Sequence, residues 1–595
     1  MASYSAPLRD MRFVYHELFD SSDISALPGF EEATPDLIDA VLEEAAKVCE
    51  NELFPINRSG DEEGCRYHQG GEVTTPSGFR ECYRAYAEAG WIGLSSDPQY
   101  GGQGLPAAIS TLLEEMVCSS NIAFGTYVGL SRGAYRAIAA FGNDTLKTRY
   151  LPKLTSGEWS GTMCLTEPQC GTDLGLLRTR AEPNADGSYR VTGNKIFISA
   201  GEHDLTENII HLVLARLPDA PAGVRGISLF LVPKFLPNPD GDPGERNGVL
   251  CTALENKMGI KASSTCAMSF DQATGWLIGS AHKGMQAMFV MMNDARLGVG
   301  VQGLGLSESA YQAAVEYARE RLQGRSVTGT KHPDKPADPI LVHPDIRRTL
   351  LTMRALTEGN RAMATWIARH LDLRERAEDE TTRASANDFV QLMTPIAKAF
   401  FTDYGFDITN MGLQVYGGHG YIRENGVEQY VRDSRIAQIY EGANGVQALD
   451  LVGRKVPAHT GRYLRQFFHP VQSWIESHAF TPALQPFVMP LAKAFGRLQL
   501  ATGHIAQVGL KNPNEAAAAS SEYLRLFGLV ALGYLWARMV EVALTHEKGA
   551  DQGFYDAKVA TARHYMERIM PQTGSLFAAI MAGASTMMDF PDEAF

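Results

Sequence analysis

The chain has 595 residues, 45% hydrophobic and 21% charged, with 57 glycines and 29 prolines. That length is about four times a ~150-residue domain, and the composition excludes a disordered, collagen-like or coiled-coil protein. Lysine and arginine number 54 against 68 aspartates and glutamates, a net charge of −14, which argues against a general nucleic-acid binder; small anionic ligands, which need only a few cations or a helix N-terminus, stay open.

Taken in chain order, residues 1–34 form an N-terminal extension that mixes both charge signs and shows no targeting segment. From Pro35 to Ser160, apolar residues recur at three and four, as in LIDAVLEEAAKVCENELF, which predicts a helical domain over 35–160. Short runs rich in β-branched and aromatic residues (YRVTGNKIFIS, NIIHLVLAR, GISLFLVP) follow, predicting a β-domain over 161–283. Helical texture returns at His282 and predicts a bundle over 284–455, interrupted by a Pro-rich connection from His332 to Pro339. VPAHTGRY reads as a linker, and 465–595 as a further helical domain with balanced charges.

The longest apolar run, Leu526 to Ala537, falls short of the ~20 residues that span a bilayer. None of the eight cysteines forms a CxxC pair and none follows Cys266, so reduced thiols are expected rather than disulfides or a metal site. A soluble, cytoplasmic protein is the expectation.

Gly298, Gly300 and Gly303 spell GxGxxG, but the preceding residues read as helix rather than strand. A dinucleotide loop is therefore not expected there, and the glycines suit close helix packing. In CLTEPQCGTDLG, the hydroxyls of Thr166 and Thr172 and the open backbone at Gly171 could hold a ring edge and a phosphate. In TGNKIFISAG, alternation places Phe197 and Ser199 on one face of a strand, an aromatic and a hydroxyl suited to a flat polar ring. Each segment reads equally well as a loop or core strand. In IYEGANG, Glu441 lies between Tyr440 and Gly442, where partial desolvation would make it a general base; a lone glutamate is more commonly a solvated one.

Together LTEPQCGTD, GNKIFIS, NDAR, YARERLQ, QVYGGHGY, RDSRI and IYEGANG, in this order, resemble the flavin-dependent acyl-CoA dehydrogenases over residues 35–455. The resemblance implies an α+β multidomain fold: a helical N-terminal domain, a β-barrel-like middle domain and a helical-bundle C-terminal domain, here with an extra C-terminal helical domain. It implies FAD as cofactor, acyl-CoA as substrate and fatty-acid β-oxidation as the setting. It further implies Glu441 as the catalytic base, and Met163, Leu165, Thr166, Gly171, Thr172, Phe197 and Ser199 at the flavin. Arg321, Gln323, Gln414, Gly417 and Gly418 match positions that touch the adenosine-diphosphate end or a partner subunit's flavin; Ala443 and Gly445 fall on the same cofactor. Thr172, Asn293, Arg296 and Gly442 match substrate contacts. Some members place their base at the position of Ala295, which cannot serve, and this strengthens Glu441.

Two departures stand out. Ala443 replaces the family's hydroxyl, leaving Asn444 as a substitute contact, and Gly324-Arg325 with the Pro-rich insertion puts the neighbouring interface geometry in question. The chain resembles the long branch, which includes 3-methylmercaptopropionyl-CoA dehydrogenase and dimeric very-long-chain enzymes. A homodimer, electron-transfer flavoprotein as electron acceptor and a trans-2-enoyl-CoA product are therefore expected. Small residues at Ala123, Gly125 and Gly129 suggest room for a medium or long acyl chain, while Glu114 and Glu115 read as solvated or helix-structural. The alternatives are a short thioether substrate, an acyl-CoA oxidase, a DNA-binding relative disfavoured by the balanced charge of 465–595, and membrane-surface association through Leu524–Leu544.

Overall fold

The structure, a computed structural model, describes residues 3–546 and 549–595. Its backbone forms two compact units. One holds residues up to Glu43, Pro106–Glu115 and Val299–Phe595; the other holds Glu44–Leu105 and Met116–Gly298.

The second unit is built on seven strands: β1 (Trp159–Cys164), β2 (Arg180–Pro183), β3 (Tyr189–Ser199), β4 (Asn208–Arg216), β5 (Ile227–Pro233), β6 (Val249–Leu254) and β7 (Thr265–Ile278). The long β7 pairs with β6 and β3 along its first part and with β5 along its last. β5 pairs with β4, β4 meets β2 at Arg216 and Arg180, and β2 returns to β3. These five strands thus close on themselves, which meets the barrel-like expectation and leaves few free edges. β1 joins from outside, parallel to β4.

Eight of the nine β4 residues are buried because both faces are covered. Ile210, Leu212 and Leu214 pack with Tyr150, Trp159, Met288 and Met291, while Val213 and Ala215 pack with Ile198, Phe230 and Phe270. The helical part of this unit includes a small hairpin, Arg66–Tyr67 with Val73–Thr74, that periodicity did not predict.

The principal helices are α1 (Ala107–Phe141), α2 (Gly284–Glu320), α3 (Pro344–Arg376), α4 (Glu380–Tyr416), α5 (Asn444–Asp450), α6 (Ser520–Thr545) and α7 (Gln552–His564). α2 runs unbroken through the GxGxxG glycines. A Cβ on Gly303 would lie 2.6 Å from the Phe401 carbonyl of α4, so the glycine serves close packing, as its helical context predicts. α6 is long and apolar enough to cross a membrane by length and composition, beyond what the Leu526–Ala537 run suggested; 83% of its most apolar window is buried inside the protein. It packs on α3, where the Trp536 indole donates to the Ala355 carbonyl (3.0 Å), and on α4, where Gly528 admits the Phe400 ring. In the linker segment, His459, Thr460 and Gly461 take consecutive positive φ values.

A buried charge cluster joins distant parts of the first unit. The Arg361 guanidinium on α3 donates to Glu115 (2.5 and 2.9 Å), to Glu308 (2.6 Å) and to Asp10. The Lys558 ammonium on α7 bonds Asp10 and Glu358 (2.7 Å), and Glu358 also accepts from Arg354 (2.6 Å). Asp10 belongs to the N-terminal extension, which is packed rather than loose: Met11, Phe13, Val14 and Tyr15 are fully buried. Glu115 is 1% exposed, so of its two expected roles the structural one holds.

The cluster holds four carboxylates against three cations. Burial pushes the Glu115 carboxyl up to about 7 despite Arg361, with Glu308 and Asp10 adding to the rise. A carboxyl that binds its proton more tightly when folded stabilises the fold below its unfolded value and loses that contribution as pH rises through its folded one. Relative to Glu115→Gln, the wild type should therefore lose about 2 kcal/mol of stability between about pH 5.5 and about pH 8, read from paired urea titrations. Arg361→Met, which removes the guanidinium shared by three buried carboxylates, should cost about 3–5 kcal/mol in the same assay.

Candidate active site

The candidate residues fall into two groups, one on each unit. On the sheet unit, the chain leaves β1 at Cys164 and turns through Leu165 and Thr166 to Glu167, which is buried. The Glu167 carboxylate accepts from the Lys195 ammonium (2.9 Å), the Thr179 hydroxyl (2.6 Å) and N–H (3.0 Å), the Arg178 N–H (2.8 Å) and the Gln169 amide (2.7 Å). Burial alone would raise Glu167, but Lys195 and these donors hold it down to about 2. Lys195, fully buried on β3, also donates to the Leu165 carbonyl (3.0 Å), and the Ile196 N–H donates to Thr166 (2.9 Å). One ion pair thus ties the loop carrying Leu165, Thr166, Gly171 and Thr172 to the strand carrying Phe197 and Ser199. Met163 is buried in β1, Thr166 is half-buried, and Gly171 and Thr172 are exposed. A Cβ on Gly171 would meet nothing within 4 Å, so its backbone is open to approach.

Alternation along β3 breaks before Phe197. β3 bulges opposite β7 between Cys266 and Met268, and Lys195 and Ile198, three apart, are both buried. The bulge instead turns Phe197 outward, with φ +59° and 60% exposure, while Ser199 is half-buried beyond Ile198. An aromatic ring held this exposed on a strained backbone is a surface that a planar ligand could cover. On α2, Asn293, Ala295 and Arg296 are half-buried, and Asp294 pairs with Arg136 (3.0 Å) and Arg132 (3.4 Å). Gly125 is buried, and a Cβ there would meet Cys118 and Val117 at 3.4 Å, across the non-helical backbone of Asn121 (φ −159°).

On the helical unit, Glu441 is half-buried in the turn before α5. It adopts φ +56° and Gly442 follows at φ +86°. The Gln447 amide donates to the carbonyls of Glu441 and Gly442 (both 3.2 Å), and the Lys398 ammonium donates to the Gly442 carbonyl (2.9 Å). Asn444 does not replace the missing hydroxyl. Its amide is occupied by Lys398, Thr402, Asp403 and the Ala399 carbonyl of α4. Ala443 is half-buried and Gly445 exposed, with open space where its side chain would be.

Gln414, Gly417 and Gly418 are exposed at the end of α4, which Gly417 terminates with φ +58°. Tyr416 stacks on Tyr317 of α2 at 4.1 Å. One turn beyond Tyr317, Arg321 and Gln323 enter the Pro-rich insertion, which is ordered. The buried Asp338 carboxylate accepts the N–H groups of Ser326 (2.9 Å), Lys331 (3.1 Å) and His332 (2.7 Å). The Ile340 N–H donates to the Arg321 carbonyl and the Gln323 N–H to the Asp338 carbonyl. The insertion therefore braces the backbone of these two residues within the chain.

Lys195, Lys398, Asp403 and Gln447 support the site and were not singled out by sequence. A lysine is ordinarily a surface residue, and nothing local marks these two as buried.

The chain matches four family models in succession: "Acyl-CoA dehydrogenase, N-terminal domain" over residues 36–158, "middle domain" over 162–273, "C-terminal domain" over 282–456, and "Acetyl-CoA dehydrogenase C-terminal like" over 467–591. It is 42% identical to a 3-methylmercaptopropionyl-CoA dehydrogenase of Ruegeria pomeroyi over 96% of each chain. It is 33% identical to a butyryl-CoA dehydrogenase of Syntrophomonas wolfei, covering 100% of this chain and 99% of that one. In fold it matches Caenorhabditis elegans ACDH-11, solved in complex with C11-CoA, with a TM-score of 0.78 at 19% identity over 95% of this chain and 91% of that one. With full-length relatives above 30% identity and family models that follow one another along nearly the whole chain, this protein belongs to the acyl-CoA dehydrogenase family.

Proposed function

We propose that the protein catalyses FAD-dependent α,β-dehydrogenation of short acyl-CoA thioesters to trans-2-enoyl-CoA, with Glu441 removing the α-proton. The observation that carries this is the Glu441 turn: a carboxylate on a left-handed backbone whose two following carbonyls are pinned by Gln447 and Lys398. A thioester α-C–H is a weak acid, so a base must be held in place, and a misplacement of about 1 Å can cost roughly 100-fold in rate. The anchored turn supplies that fixity.

The residues fit the cofactor. Gly171, Gly417, Gly418 and Gly445 each leave open space where a side chain would stand, and Phe197 presents a bare aromatic ring. Thr166, Thr172 and Ser199 would supply hydroxyls to the ring system; Gln414 and the glycine pair would meet the diphosphate end. FAD, when bound, supplies the acceptor for the β-hydride. Asn293 and Arg296 would orient the thioester, and Thr172 and Gly442 would border it.

A short acyl group is supported by the printed substrates of two full-length relatives, a 3-methylmercaptopropionyl-CoA and a butyryl-CoA dehydrogenase. A homodimer and electron-transfer flavoprotein as acceptor are proposed on the family resemblance alone; light scattering at two chains per particle would support the first.

Anaerobic titration with butanoyl-, 3-methylmercaptopropanoyl-, octanoyl- and hexadecanoyl-CoA, following absorbance near ~450 nm, tests this. The first two should bleach the wild-type flavin at the lowest concentrations, and Glu441→Gln should bleach with none. Bleaching in Glu441→Gln at the wild-type rate would remove Glu441 from its role. Glu167→Gln should bind FAD roughly tenfold or more weakly, because a buried charged hub loses its charge; equilibrium dialysis against apoprotein reads this.

A further inference from the structure

We propose that Lys398 is a positioning residue for Glu441: its buried ammonium fixes the turn that aims the carboxylate. The inference rests on the assignment of Glu441 as the base and adds a residue to that site. Lys398 lies in the middle of α4 and is fully buried. Its Nζ donates to the Gly442 carbonyl and to Asn444 Oδ1, both at 2.9 Å. Asn444 returns the connection to the same helix, donating to Ala399 O (3.2 Å), Thr402 Oγ1 (2.9 Å) and Asp403 Oδ1 (2.7 Å). Asp403 in turn accepts from Gln438 (2.9 Å), on the other side of Glu441 in sequence. The turn is therefore gripped before and after the base from one helix.

The direction of the grip matters. All described peptide bonds are trans, so a carbonyl turned toward α4 directs the N–H of the same peptide away from it. With the Gly442 carbonyl held by Lys398, the N–H of Ala443 points away from α4, and with the Glu441 carbonyl held by Gln447 of α5, the N–H of Gly442 points away from that amide. Glu441 and Gly442 both sit in the left-handed region, which a non-glycine residue abandons unless its surroundings enforce it. A neutral donor could occupy the Gly442 carbonyl. An ammonium does so with charge-assisted bonds to two acceptors at once, in a site where solvent cannot substitute.

The test uses flavin-loaded Lys398→Met and Lys398→Ala, with melting temperature, FAD content, substrate Kd and the anaerobic flavin-bleaching rate at saturating butanoyl-CoA. The expected result is a bleaching rate lower by roughly 100-fold, with substrate Kd and FAD content within about threefold of wild type. Propylammonium should restore roughly tenfold or more of the Lys398→Ala rate and leave wild type and Glu441→Gln unchanged. A rate within about threefold of wild type, a loss that merely tracks lost flavin, or a flavin-loaded Lys398→Ala that no alkylammonium rescues would each overturn the proposal. Should Lys398→Met not load flavin, Asn444→Ala carries the test by removing the second anchor of the ammonium; an unchanged bleaching rate there overturns it equally. Failure of the base assignment is visible separately, in wild type that never bleaches or in Glu441→Gln that bleaches normally.

Discussion

Arg361 is the constraint on which the helical unit depends. Its one guanidinium bonds carboxylates from the N-terminal extension, from α1 and from α2, and Asp10 passes the connection to Lys558 in the C-terminal domain. An arginine suits this position because its planar fork serves several acceptors while staying charged at any working pH. The stabilisation gained over an apolar core is small, since desolvating seven ionisable groups opposes it. Such a cluster ties α3 and α7 to the N-terminal segment through directed bonds from Arg361 and Lys558 to Asp10. Burial, with Glu308 and Asp10 adding to it, raises the Glu115 carboxyl to about 7, so its pairing with Arg361 responds to pH near neutrality.

The same device recurs in each of the two groups of candidate residues, on a smaller scale. Glu167 and Lys195 fix the loop and strand that carry the flavin-facing candidates, and Lys398 fixes the turn that carries Glu441. Each is a buried charge bonded to backbone carbonyls or N–H groups rather than to a ligand. Loops ordinarily have few packed contacts and open at low free energy. A buried ion with two to five directed bonds ties a short loop to the helix or strand behind it, which a catalytic arrangement requires.

The order of helical and strand regions was legible because periodicity of two or near 3.6 changes abruptly around residue 160 and again near 282. The GxGxxG segment was correctly assigned to helix because its flanking residues, not its glycines, set the period. Individual site residues were legible only through ordered motifs, since Glu441 or Phe197 alone is indistinguishable from an ordinary surface glutamate or core phenylalanine. Two things were not legible. The β3 bulge reverses alternation after Lys195 and comes from pairing with a strand some seventy residues away. The buried lysines were invisible because their partners are backbone carbonyls and residues far along the chain, which no local pattern records.

Among the described residues, nine non-glycines take positive φ, and two of them are Phe197 and Glu441, the aromatic and the carboxylate on which the proposed chemistry turns. For each, the departure from local preference is enforced nearby: a bulge with Lys195 and Ile198 anchored on either side of Phe197, and the Lys398–Gln447 grip after Glu441. Strain of this kind persists only where the surroundings over-determine the backbone. A chain relaxed at both positions would bury Phe197 and let Glu441 swing toward solvent, gaining local stability and losing the surface that a ring could cover and the aim that a base needs. The buried ions and the strained residues are therefore one arrangement: the first would serve no purpose here without the second, and the second would not survive without the first.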